Sequence, residues 1–185
     1  AELIPKSHQE MKHFTSFRET FGEDANTLVI GFRDSNIYEI ETFKRYNTLC
    51  QDINSIEGIE KSGVIALPTI PYLNGQGSSS SRFFEVTTLY DTSFWGAPVT
   101  DSLKHLHQEK LALAGQLGVF KNSVFNPKTG ATVLVIPLIP EYMNSKRRQG
   151  IVNHIQKSVE DFVAENTLEE AHFAGLPYVR TVMAG

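Results

Sequence analysis

Cysteine is nearly absent. Cys50 stands alone in 185 residues, so no disulfide can close within the chain. It lies in an apolar periodic stretch, which suits a small buried hydrophobe better than a reactive thiol. Long apolar runs are missing too. The longest, ATVLVIPLIP at 131–140, falls well short of the roughly 20 residues a membrane helix needs, so no span is expected. Nor is there an excess of positive charge. The net charge of −4 argues against non-specific nucleic-acid binding, which needs a basic face to displace counterions.

The motifs of common catalysts are missing as well. There is no HExxH, and on a helix His105 and His107 point to nearly opposite sides, so no metal site is expected. The run Ser78 to Ser81 follows Gly75 and Gly77 without a nucleophile elbow and reads as a flexible tether. NGQG lacks the Gly-Lys-Ser/Thr of a phosphate loop. Arg33 and Asn36 after the first strand resemble an acylphosphatase in outline. Their turn, RDSN, has no glycine, and Asp34 would repel phosphate. The expectation is a chain with no catalytic residues and no cofactor.

What is present is a composition of 41% hydrophobic and 21% charged residues, which supports one folded domain over 1–185. Ser7 and Glu10 have capping-box spacing, and Met11, Phe14, Phe17 and Phe21 recur at helical intervals before Gly22. TLVIGFR at 27–33 alternates like a strand. Ile37, Ile40, Phe43, Tyr46, Leu49, Cys50 and Ile53 step by three or four and predict a helix. GVIAL at 63–67 predicts a second strand.

Residues 68–100 hold Pro68, Pro71, NGQG, the serine run and WGAP, which predict a long loop or an inserted arm. Helical spacing returns at Leu103, Leu106, Leu113 and Leu117, with Thr100 or Asp101 as cap, so the insert extends over 68–118. GVFKNSVFN, PKTG and ATVLVIPLI predict two strands around a tight turn, the second central in a sheet. Ile151, Val152, Ile155, Val159, Phe162 and Val163 mark the strongest helix, after Asn144 or Ser145. EEAHFAG at 169–175 predicts the last strand. Without the insert the order is strand, helix, strand, strand, helix, strand, plus one hairpin strand. That order resembles the split βαβ, ferredoxin-like arrangement, an α+β fold with helices covering a mostly antiparallel sheet.

Two groups of residues are candidates for contact with a substrate or partner. Phe83, Phe84, Tyr90, Phe94 and Trp95 concentrate in the insert, either as a satellite core or as a docking surface. Lys146, Arg147 and Arg148 stand in the first turn of the long helix, where cations oppose the helix macrodipole. They form a solvated face, an ion pair with a carboxylate such as Glu141, or a contact for an anionic partner or lipid headgroup.

IPKSHQEMKHFTSFRETFG, a strand, DSNIYEIETF, and later MNSKRRQGIVNHI and HFAGLPYVRTV follow one another in an ordered series. The series resembles the first extracytoplasmic loop of RND-superfamily exporters, nearest to the Patched/MMPL-like transporters of bacteria. The resemblance covers most of residues 1–66 and 119–185, and the insert at 68–100 matches nothing in it. It implies a porter domain at the periplasmic face of the inner membrane, with a membrane-proximal helix over 1–22 and an exit segment beginning over 176–185. Gly175 and Pro177 would then be the hinge where the chain leaves the sheet. The missing initiator Met and the abrupt end after HFAGLPYVRT fit a piece of a longer chain. The implied partners are a second porter domain and the membrane helices of the same transporter, with oligomers formed through that parent. The implied cargo is a lipid or hydrophobic compound, moved at the expense of a proton gradient.

Overall fold

A computed structural model describes residues 26–74, 85–117, 124–143 and 146–184. The expected helix over 7–21, the serine run, Phe83 and Phe84, and the expected caps Asn144 and Ser145 lie outside the described residues.

The chain is α+β. Strand β1 (Thr27–Phe32) lies between β4 (Thr132–Pro137) and β5 (His172–Ala174), antiparallel to both. Its alternation sorts the core. Leu28 and Ile30 pair with Ile136 and Leu134, and with Phe32 they bury one face of the sheet. Val29 and Val135 face the other way, beside Ile65, Val133 and Ala174.

Helix α1 (Ile40–Asn54) buries the predicted stripe through Phe43, Tyr46, Cys50 and Ile53. Helix α4 (Lys146–Glu165) does so through Ile151, Val152, Ile155, Val159 and Phe162. Both cover the Leu28 face, where Phe32 meets Tyr46 and Phe162 edge-on, at centroid distances of 5.5 and 6.1 Å. Burial pushes the Cys50 thiol well above its usual range, so it serves as a small hydrophobe.

The expected strand over 63–67 shrinks to one antiparallel bridge, Ile65 to Val135, closed by two backbone bonds of 2.9 and 2.8 Å. The reason is local. Pro68 has no ladder donor, and Thr69 Oγ1 accepts from the Ala66 amide, winding Leu67–Thr69 into a 3-10 turn. The outer edge of β4 is instead taken at three points by two short pieces of chain. Glu60 donates to the Pro137 carbonyl, Ile65 pairs with Val135, and Val133 donates to the Val124 carbonyl.

Residues 68–100 are more ordered than their Pro/Gly punctuation suggests. Strands β2 (Pro71–Asn74) and β3 (Glu85–Thr88) pair as an antiparallel hairpin. Helix α2 (Thr92–Gly96) follows, capped by Asp91, whose carboxylate accepts from the Phe94 amide. Helix α3 (Asp101–Ala114) is capped by Thr100 Oγ1 on the Leu103 amide. The turn around PKTG is present, with Asn126 Oδ1 accepting from the Lys128 amide and Gly130 at φ +71°. Its first arm pairs only at Phe125, opposite Thr132, among the described residues. The last strand is shorter than predicted, and Gly175 leads directly into helix α5 (Leu176–Met183).

Candidate functional site

The insert is fastened to the body through aromatic rings. Phe43 of α1 stacks on Trp95 at 5.7 Å and meets Tyr90 at 4.9 Å; Phe94 meets Tyr90 edge-on at 4.8 Å. Phe94 is 2% exposed and Tyr90 is fully enclosed, so neither offers surface to a ligand in this conformation. Trp95 is half-buried at the margin of the cluster. Lys44 reinforces the contact by donating to the Ala97 carbonyl after α2.

His107 lies inside this cluster, 3% exposed and 4.6 Å from the Phe43 ring. Its Nε2 is 2.7 Å from the Tyr38 carbonyl oxygen, which can only accept, so Nε2 carries the proton. Nδ1, 3.0 Å from the Tyr90 hydroxyl, is then the acceptor for that O–H. Burial holds the imidazole below its usual range, against opposing pulls from the Tyr38 carbonyl and from Glu39. His107 is therefore a neutral bridge between the insert and the turn that precedes α1. Sequence periodicity missed it. Leu106, on the predicted stripe, is 39% exposed, whereas the buried stripe runs through Leu103, His107 and Ala114. The i, i+4, i+11 spacing was the available signal. His105, by contrast, faces solvent and sits 3.3 Å from Glu109.

An open groove of about 410 Å³ runs between the hairpin and α3, with Tyr72, Leu89, Leu106 and Leu113 on its walls. Lys110 crosses it, donating to the Leu89 carbonyl at 2.7 Å and lying over the Tyr90 ring at 5.6 Å.

The three cations of α4 do different things. Lys146 is exposed. Arg147 lies over the Tyr142 ring at 5.7 Å. Arg148 is partly buried and ties three elements together, donating to the Met143 carbonyl at 2.6 Å and approaching the Arg180 carbonyl of α5 at 3.4 Å. Gly175 has φ +104°, and a Cβ there would lie 2.2 Å from the Thr27 carbonyl oxygen. Pro177 is buried in the first turn of α5, where its missing amide is no loss. In the RDSN turn, the Asp34 carboxylate accepts from the amides of Asn36 and Glu169, both at 2.9 Å. That turn thus already holds an anion of its own.

Among the described residues no group of three His, Cys, Asp or Glu side chains is placed to hold a metal, and no helix is long and apolar enough to cross a membrane. No family model matches the sequence, and no curated protein or solved structure matches it significantly.

Proposed function

We propose that the chain is a porter domain of an RND-type exporter, held at the periplasmic face of the inner membrane and shaping a path for lipid or hydrophobic cargo without catalysis of its own. One observation carries this reading. The start of β1 and the end of β5 are neighbours, with Gly175 pressed against the Thr27 carbonyl. A domain looped between two membrane helices needs both leads on the same side. The sheet order supports it too. β5–β1–β4, with Ile65 bridged to the far edge of β4, is the order of a split βαβ, ferredoxin-like unit whose outermost strand has contracted to a single residue.

On this reading the sheet and its two helices form the rigid body, and the insert, locked on through Phe43 and His107, moves with it against the second porter domain. Phe94 belongs to the lock, so its replacement by Ala would lower stability by about 3–5 kcal/mol. Trp95 is the residue of the pair whose removal probes a contact. The reading is tested by the coding sequence on either side of this segment, which should specify about 20 consecutive apolar residues close to each end. Polar sequence on both sides would overturn it.

A further inference from the structure

Helix α5 turns an apolar face outward. Leu176, Val179, Val182 and Met183 are 36, 45, 59 and 82% exposed, while Pro177 and Thr181 on the opposite side are buried. At 3.6 residues per turn the four fall on one arc roughly 120° wide. A helix on a water-facing surface normally shows polar residues there, so this arc calls for a covering layer.

The charges beside it indicate which layer. Arg180 borders the arc on the same helix. Arg148 reaches the Arg180 carbonyl, which sets the first turn of α4, with Lys146 and Arg147, against the last turn of α5. Among the described residues, the carboxylates beside the start of α4 are Glu141, on the turn that precedes it, and Glu57, which is occupied by the Tyr142 hydroxyl at 2.6 Å. Among the described residues at this end, Lys146, Arg147, Arg148 and Arg180 outnumber these two carboxylates, and the cations in the first turn of α4 are opposed by its dipole until an anion offsets them. An apolar arc with a cationic border is the pattern of a helix lying at a membrane surface.

We propose that the outward face of α5, bordered by Arg180, Arg147 and Lys146, rests on an anionic lipid bilayer. The apolar side chains enter the headgroup–acyl boundary, and the cations meet lipid phosphates. The contact does not depend on the porter reading, since it needs no flanking span.

The test is co-sedimentation of the full 185-residue chain with vesicles of phosphatidylcholine alone or mixed with phosphatidylglycerol. The chain is expected to pellet with the mixed vesicles and to be released as salt rises. Val179→Ser with Val182→Ser, and separately Lys146→Glu with Arg147→Glu, should each weaken binding at least ten-fold. All four positions are exposed, and an unchanged thermal unfolding midpoint confirms that each variant folds. Three results overturn the proposal. The chain ignores both vesicle types. It binds, and neither variant weakens it. Or it sediments as a dimer that the serine pair disperses, which makes a second copy the covering layer. Binding found alongside polar flanking sequence would remove the porter reading and leave this contact standing.

Discussion

At the scale of single residues, His107 carries the most consequence. Its pKa is depressed in the folded chain and ordinary in the unfolded one. Above its usual value of 6.5 the imidazole is neutral in both states and contributes no pH dependence. As pH falls through that value the unfolded chain takes up the proton first, so stability declines until the folded pKa is reached. Urea unfolding between pH 7.5 and 5 should show this decline, and His107→Gln should flatten it. Glu39, Lys110 and Asp91 also lie near the cluster, and all of them remain in the variant, so the difference between the two profiles reports His107. A coincident slope in both proteins would remove the imidazole from that role. His107 was hard to read in the sequence because apolar periodicity ignores a polar side chain whose two nitrogens are both satisfied inside the core.

At the scale of elements, α1 and α4 were legible because their apolar residues recur over more than three turns. Thr100 and the Asn126–Gly130 turn were legible from side chains that bond their own backbone. The strand at 63–67 was not, because its apolar run continues into Pro68 and Thr69, which close a turn, and a period alone does not separate the two. The hairpin and α2 were hidden by glycine, proline and serine nearby, although Asp91 three residues before Phe94 was a cap in plain view. Helix α4 also contains a weak point. Gly150 is exposed, and a Cβ there would meet nothing within 4 Å. Gly150→Ala should therefore stabilise the domain by about 0.5–1 kcal/mol. Calorimetry should record a midpoint higher by about 1–4 °C. A lower midpoint would mean that the first turns of α4 do not stay helical in solution.

At the scale of the whole molecule, Gly175 decides whether β1, β5 and α5 hold together at one end. Gly175→Ala combines a strained φ with a side chain driven into the Thr27 carbonyl. A loss of about 2–4 kcal/mol is expected, read from the urea midpoint. Hydrogen exchange should rise first in β5 and α5. If the loss spreads evenly over the domain, the two leads are not a local unit. The candidate contact residues were legible as types and not as places. The sequence marks out aromatics and cations, but only the fold puts Phe94 inside, Arg148 between two carbonyls and Trp95 at a margin.

The outer side of β4 is occupied at Val133, Val135 and Pro137 by two separate stretches of the same chain, one around Val124 and one over Glu60 to Ile65, and β5 on the opposite flank is only three residues long. Among the described residues, β4 thus has its outer edge largely occupied, and β5 offers a foreign ribbon only a short ladder of backbone amides. Aggregation by edge-to-edge growth is thereby disfavoured, and a protein that associates with this sheet finds more to hold in the side chains on its faces and helices than along its edges.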